Sequence, residues 1–292
     1  MSAAKYTFII NPYSGTHKKD YLEKCIRKKM DESGSGYELM YTSGPGHATS
    51  MATEAVGNGA EVIVAVGGDG TVNEVGQALI NNNVVLGIIP CGSGNGLARH
   101  FGIPVKPLKA LDVLLKGNIQ PIDTATINDK VFLSVAGMGY DARVAKKFAK
   151  ANNRGFLSYF RIASNEYFNY KPRKVTLILD GKKITRKAMM VTFANSSQFG
   201  NNASIDSEAK IDDGLIDVCI VRKVPYMLLP FYIPRLFNRS FYKTQYIEII
   251  PAKDIVVSRK RGKSVNLDGD PFKTAKEVHV QVFPLSLKII VP

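Results

Sequence analysis

Cysteine is scarce in this chain: Cys25, Cys91 and Cys219 are the only three in 292 residues, and they are scattered. An odd, dispersed set supports neither a disulfide framework nor a zinc centre, and it suits a reducing cytoplasm. His17, His47, His100 and His279 stand alone and read as structural or surface groups. No apolar run reaches the ~18 residues of a bilayer-spanning helix, so an integral membrane protein is not expected. Met1-Ser2-Ala3-Ala4-Lys5 runs into an expected strand without an apolar export segment. Acidic residues are in deficit, 25 against 39 Lys and Arg, which gives a net charge of +14. That excess points to anionic partners, although the basic residues are dispersed and a solvated surface explains them equally. Also missing are G-x-G-x-x-G after the first strand and G-x-x-x-x-G-K-[ST], so dinucleotide-binding and P-loop readings lose their main support.

What is present centres on Val62-Ile63-Val64-Ala65-Val66-Gly67-Gly68-Asp69-Gly70-Thr71-Val72-Asn73-Glu74. Five apolar, mostly β-branched residues predict a buried strand, and Val72, Val75 and Leu79 carry helical spacing directly after the glycines. At such a strand-to-helix turn, Gly67, Gly68 and Gly70 are expected to take left-handed angles and approach a ligand closely. Backbone N–H groups and the positive end of the helix dipole favour phosphate there. Asp69 adds a carboxylate, which suggests a metal ion or a proton beside the phosphates. Thr71 to Glu74 also fits a capping box, which accounts for both ends of that segment without a ligand.

Taken in order, Lys5 to Ile10 predicts a first strand ending at the turn Asn11-Pro12-Tyr13-Ser14-Gly15. A basic helix follows over about Asp20 to Met30, then a strand over Tyr37 to Thr42 and a helix over about Ala48 to Gly57. The glycine-rich strand comes third, and Val84 to Pro90 is a fourth strand leading into Cys91-Gly92-Ser93-Gly94-Asn95-Gly96. Strands alternating with helices at this spacing imply βαβ units and a parallel sheet. Turns at 11–15, 42–46, 67–71 and 92–95 then fall on the carboxyl edge, where open α/β sheets bind ligands. This α/β domain is placed at residues 1–121.

From residue 122 to 285 the pattern becomes mostly β. Strands are expected at Val131 to Ala136, Lys174 to Leu179, Ile184 to Ala194, Leu215 to Arg222, Gln245 to Pro251, Ile255 to Ser258, Ser264 to Leu267, Glu277 to Phe283 and Leu287 to Val291. Asp180-Gly181 is a hairpin signal, and many short strands predict an all-β sandwich.

Three segments resemble nucleotide-binding motifs of the diacylglycerol kinase and sphingoid-base kinase family of lipid kinases. They are Asn11-Pro12-x-Ser14-Gly15, Gly67 to Thr71 with Asn73-Glu74, and Pro90-x-Gly92-Ser93-Gly94-Asn95-x-Leu97-Ala98. The middle motif is shared with NAD kinases; the last is not expected in them. Many bacterial diacylglycerol kinases carry Thr, then Asn-Asp, in that last motif, so Ser93 and Gly96 sit closer to the sphingosine and ceramide kinase pattern. The resemblance implies an NAD kinase/diacylglycerol kinase-like fold whose last strand, about 286–292, returns to the first domain. It implies ATP contacts from Asn11, Pro12, Tyr13, Ser14, Gly15, Thr42, Gly67, Gly68, Asp69, Gly70, Thr71, Val72, Asn73 and Ser93.

For the second half the resemblance implies three further roles. Asp123 would join Asp69 in organising Mg²⁺ and water; read alone it is a loop carboxylate. Asp213, with the carbonyls of Lys210 and Leu215, would hold a structural Mg²⁺ through oxygen ligands suited to a hard cation; read alone this is an Asp-Gly turn. Asp270, in Asn266-Leu267-Asp268-Gly269-Asp270-Pro271, stands where the family has the glutamate proposed as the base. Aspartate is shorter by one methylene, roughly 1.5 Å of reach, and a base must come within roughly 2.6–3.2 Å of its proton. Gly137 to Ala142 matches a further family segment, and a glycine turn explains it equally.

Two aromatic segments, Phe156 to Ile162 with Tyr167 to Lys171 and Tyr226 to Arg239, mix apolar residues with Arg154, Arg161, Lys171, Arg235 and Arg239. That is the composition of interfacial segments, and core packing is the commoner use of such residues. Pro230 and Pro234 are expected to stop the second from forming one regular helix. The expectation is thus an ATP- and Mg²⁺-dependent lipid kinase converting diacylglycerol to phosphatidic acid, cytoplasmic and transiently at the inner face of the membrane. A sphingoid-base or ceramide kinase is the near alternative. A catalytically weak nucleotide- and lipid-binding protein, suggested by Asp270, is the alternative of another class. No nucleic-acid partner is expected, and a homodimer is left open.

Overall fold

The computed structural model describes residues 6–15, 19–151, 156–200, 202–259 and 264–292. Lys5, His17, Arg154 and the Phe156 side chain, named above, lie outside the described residues. The chain divides into two compact units, Met1–Ile122 with Leu285–Pro292, and Asp123–Pro284.

The first unit runs β1 (Tyr6–Ile10), α1 (Lys19–Ser33), β2 (Tyr37–Tyr41), α2 (His47–Gly57), β3 (Val62–Gly67), α3 (Asp69–Leu79), β4 (Val85–Pro90), α4 (Gly96–His100) and α5 (Pro107–Lys116). Its sheet has the order β2-β1-β3-β4, all parallel. Every residue of β1, β3 and β4 is buried, so these strands read as unbroken apolar runs because helices cover both faces. α1 lies beside α5, joined by the Lys29–Asp112 ion pair at 2.6 Å, and α2 lies beside α3.

β5 (Ile119–Ile127) leads into the second unit, which continues with β6 (Lys130–Phe132), β7 (Val135–Gly139), α6 (Tyr140–Phe148), α7 (Phe156–Asn169), β8 (Arg173–Leu179), β9 (Lys182–Ala188), β10 (Met190–Ala194), β11 (Gln198–Gly200), β12 (Ala203–Ser204), β13 (Ile216–Val221), α8 (Leu229–Phe237), β14 (Ile247–Ala252), β15 (Asp254–Ser258), β16 (Ser264–Leu267), β17 (Asp270–Lys273) and β18 (Glu277–Ile290). One antiparallel sheet is β14-β13-β10-β7-β16-β17; facing it are β18, β15, β8 and β9, also antiparallel. Phe193, Val191, Val218 and Ile220 meet Phe132, Leu177, Ile255, Val257, Val278 and Val280 in the core between the two layers. The sandwich is thus present, with three helices added to it.

Several expected strands are corrected. The stretch 131–136 is two strands, with β6 pairing β5 and β7 pairing β10, so the chain passes from one layer to the other at Leu133-Ser134. The stretch 184–194 divides likewise at Met189, between β9 and β10. Periodicity cannot register such a crossing, because the backbone stays extended through it. The two strands expected at 277–283 and 287–291 are one, β18, which keeps its course through Pro284 and through Leu285 at φ 49°. Its early residues pair with β15 in the second unit, and Lys288 and Ile289 pair in parallel with Val85 and Leu86 of β4 in the first. The prolines of 226–239 do not prevent a helix: α8 forms with Pro230 in its first turn and Pro234 inside. Pro230 removes an N–H that has no partner in a first turn anyway, so only Pro234 interrupts the ladder.

Candidate active site

In the first unit, side chains lace three turns, 11–15, 67–71 and 92–96, together at the carboxyl edge of the sheet, and backbone bonds join their strands. Asn11 donates from Nδ2 to Thr71 Oγ1 at 3.1 Å, while its Oδ1 accepts the Tyr13 N–H at 3.0 Å. The Asp69 carboxylate accepts the N–H groups of Asn95 at 2.8 Å and Gly96 at 2.6 Å, one on each oxygen. Cys91 N–H reaches Gly67 O at 2.8 Å, and Thr42 N–H reaches Ile10 O at 2.9 Å. Thr42 and Thr71 are buried; Tyr13 and Ser93 are exposed. Asp69 is therefore a brace between two turns.

The glycines act by closeness rather than by handedness. None of Gly67, Gly68 and Gly70 takes a positive φ; Gly68 sits at −93°. A Cβ on Gly92 would stand 2.6 Å from Gly68 Cα, so the two glycine turns touch backbone to backbone. Asn95 provides the left-handed residue, φ 53°, and donates from Nδ2 to Gly92 O at 2.7 Å. The capping-box reading of 71–74 is also corrected. Glu74 turns away to accept the N–H groups of Gly46 at 2.8 Å and Ala48 at 3.2 Å, which caps α2. No side chain among the described residues caps α3, whose N-terminal end therefore keeps the positive end of the helix dipole beside the glycine turn.

In the second unit, a hydrogen-bonded chain runs from Asp123 through Asn195 to Asp268, two residues before Asp270. Asp123 is fully buried; its N–H donates to Ile211 O at 2.7 Å and its Oδ2 accepts the Gly214 N–H at 2.6 Å. Asp123 thus grips the loop that carries Lys210, Asp213 and Leu215. Asn195, also fully buried, donates from Nδ2 to the carbonyls of Asp123 at 2.9 Å and Leu133 at 2.8 Å. Asp268 takes three backbone N–H groups where the chain changes layers: Leu133 at 2.8 Å, and Ser134 and Val135 at 2.9 Å each. Asp270, two residues on, is exposed at the start of β17.

Asp213 is exposed and accepts the Leu215 N–H at 3.0 Å. Beside this loop lie Asp206 and Asp217. Burial, then the neighbouring Asp206 and Asp213 charges, push the Asp217 carboxyl up to about 7. The Asp213 carboxyl and the backbone carbonyls of its loop are oxygen donors of the kind a hard dication takes. Among the described residues no group of three or more His, Cys, Asp or Glu side chains could hold a metal ion.

Asp141, on the first turn of α6, carries more than a glycine turn. It is buried against Gly137, where a Cβ would meet its Oδ2 at 2.0 Å, and that oxygen accepts Asn266 Nδ2 at 3.0 Å. Burial pushes its carboxyl up to about 6. Sequence reasoning missed Asn195 and gave Asp268 and Asp141 no role beyond membership of the 266–271 and 137–142 segments. The signal at Asn195 is a polar run, Asn195-Ser196-Ser197, interrupting a strand-like stretch after Phe193-Ala194.

The two aromatic segments are exposed helices. Leu157 and Phe168 of α7 and Phe231 of α8, with Tyr226 and Met227 just before it, face solvent at 66–82% of their surface. Lys223 Nζ donates to Tyr170 O at 2.8 Å and Tyr167 Oη to Val224 O at 2.5 Å, so the end of α7 is fastened to the approach to α8. Among the described residues no helix is long and apolar enough to cross a membrane.

Residues 5–127 match the diacylglycerol kinase catalytic domain, and residues 134–291 match the YegS C-terminal NAD kinase beta sandwich-like domain. A diacylglycerol kinase of Bacillus subtilis (strain 168) is 29% identical over 90% of this chain and 88% of its own length. One from Mycobacterium tuberculosis (strain ATCC 25618 / H37Rv) is 29% identical over 99% and 95%. In fold, a crystal structure of a diacylglycerol kinase from Bacillus anthracis str. Sterne superposes with a TM-score of 0.76 at 21% identity, covering 100% of this chain and 98% of that one.

Proposed function

The chain belongs to the diacylglycerol kinase-like family of lipid kinases, and from that premise we propose that it transfers the γ-phosphate of ATP to the hydroxyl of diacylglycerol, with Mg²⁺. The observation that carries this reading is the lacing of the 11–15, 67–71 and 92–96 turns around the uncapped N-terminus of α3, whose backbone N–H groups would receive phosphate. Near full-length likeness to relatives named diacylglycerol kinase favours that acceptor. Ser93 and Gly96 favour a sphingoid base or ceramide, which is the second reading.

In-line phosphoryl transfer asks the protein chiefly to position groups and offset charge. Asn11 to Gly15, Thr42, Gly67 to Asn73 and Ser93 would hold ATP, with Asp69 keeping the 67–71 and 92–96 turns in register. Asp270 would take the proton of the lipid hydroxyl as its oxygen bonds to the γ-phosphorus and the bond to ADP breaks. Asp123 would keep the 210–215 loop in shape, and Asp213 with the carbonyls of Lys210 and Leu215 would hold Mg²⁺. That ion would be structural; a separate Mg²⁺, organised with water by Asp69 and Asp123, would supply positive charge against the phosphates. The exposed faces of α7 and α8, with Arg161, Lys171, Arg235 and Arg239 alongside, would rest on an anionic bilayer that presents the lipid.

The test is incubation of the purified chain with radiolabelled ATP, Mg²⁺ and mixed micelles carrying diacylglycerol, sphingosine, ceramide or monoacylglycerol, with NAD as a soluble control. Label on diacylglycerol supports the proposal, and Asp270→Glu is expected to raise that rate by restoring the reach of the base. Label on sphingosine or ceramide alone moves the assignment to the second reading. No label on any lipid, with ATP still bound, leaves a nucleotide- and lipid-binding protein.

A further inference from the structure

Asp270 sits at the end of a two-residue hairpin. Leu267 pairs with Asp270 across it, and the two central residues, Asp268 and Gly269, have φ of 45° and 100°. Two consecutive positive φ values are the mark of the tight turn that matches strand twist, but a hairpin tip can still swing unless something anchors it. Here the anchor is inside the turn. Asp268 sends its side chain back to the junction of β6 and β7, where both its oxygens are engaged by the N–H groups of Leu133, Ser134 and Val135. Its own N–H donates to Val135 O at 2.9 Å. Asp268 is only 9% exposed, so these bonds lie out of water, where a carboxylate receiving three N–H groups has little freedom.

The place it grips matters. Leu133 to Val135 is where the chain leaves one layer for the other, so these N–H groups would otherwise lack a ladder partner. The carbonyl of Leu133 is held by Asn195, which also holds the carbonyl of Asp123. The turn bearing Asp270 is therefore moored to the same backbone junction as Asp123.

We infer that Asp268 is a positioning residue for phosphoryl transfer: it fixes the Asp270 carboxylate in place by tying the hairpin tip to the β6–β7 junction. This rests on the assignment of Asp270 as proton acceptor. A short base such as aspartate depends more on placement than glutamate would, since displacements of about 1 Å can cost roughly a hundredfold in rate.

The test is a kinetic cycle on the full chain with ATP, Mg²⁺ and the accepted lipid, comparing wild type, Asp268→Asn, Asp270→Asn and the double variant. Residues acting as one unit are non-additive. The expected result is that Asp268→Asn lowers kcat about 10- to 100-fold with KM for ATP within about twofold, yet lowers the Asp270→Asn rate by less than about twofold. A loss of equal factor in both backgrounds shows a general structural effect and overturns the inference. A folded Asp268→Asn with unchanged kcat also overturns it, while a slow Asp270→Asn keeps the base assignment intact. Wild-type turnover by Asp270→Asn removes the base assignment and this inference together. If Asp268→Asn does not fold, Gly269→Ala replaces it. That variant meets no atom within 4 Å and disfavours only the positive φ of the turn, and the same coupling to Asp270 is required of it.

Discussion

Replacing Asp141 by asparagine should stabilise the protein in a pH-dependent way. The carboxyl lies buried on α6 with Asn266 Nδ2 as its neutral partner, and burial carries it from the ordinary 3.8 to about 6. At 1.36 kcal/mol per pH unit, holding the ionised form inside costs the folded state about 3 kcal/mol. The sign follows from which state keeps the proton. Below about pH 4 both folded and unfolded chains are protonated at Asp141 and there is no cost. Between about pH 4 and 6 the unfolded chain releases its proton first, so stability is lost as pH rises; above about 6 the cost is constant. Asparagine cannot ionise, and it can both accept from Asn266 Nδ2 and donate to Asn266 Oδ1, which has no partner among the described residues. Urea unfolding followed by far-UV circular dichroism from pH 4 to 8 should give curves that nearly coincide at pH 4 and differ by up to about 3 kcal/mol at pH 7, the variant being more stable. A difference that does not change with pH, or a variant less stable at pH 7, would refute the reasoning.

Gly92→Ala should weaken ATP binding at least about tenfold by calorimetry, because its Cβ would meet Gly68 backbone at 2.6 Å. Gly57→Ala, helical and with nothing within 4 Å, should bind normally and melt slightly higher. Asp69→Asn faces one of two backbone N–H groups with an amide N–H, so it should lower thermal stability by about 1–3 kcal/mol and weaken ATP together. Wild-type values for both would remove the brace. Leu157→Asp with Phe231→Asp should cut binding to anionic vesicles at least about tenfold while leaving the melting temperature unchanged, since both side chains are exposed. Undiminished flotation of that double variant would place the membrane contact elsewhere.

The first unit was the more legible half, for a physical reason. β1, β3 and β4 are buried on both faces, and each ends in a glycine- or proline-marked turn, so apolar runs and punctuation carry the whole pattern. The glycines were found by type, yet their use was misjudged: Gly68 and Gly92 serve a backbone approach between turns 24 residues apart, which local spacing cannot express. Glu74 shows the same limit, since its capping-box spacing is genuine and its partner is another helix. In the second unit, layer crossings at Leu133-Ser134 and Met189 left two strands fused, and Pro284 divided one strand in two. Asn195 and Asp268 work through bonds to residues more than 60 positions away. Nothing in the neighbourhood of either announces that.

β18 imposes a timetable on synthesis. β4 emerges from the ribosome roughly 200 residues before Lys288 and Ile289, its neighbours in the sheet. At about 5–20 residues per second that is an interval of roughly 10–40 s, during which the first unit carries an apolar strand with one edge open. Nascent chains should therefore lean on chaperones until β18 arrives. Crowded chains could instead take the missing strand from one another, producing swapped dimers whose first units are each closed by another molecule's β18.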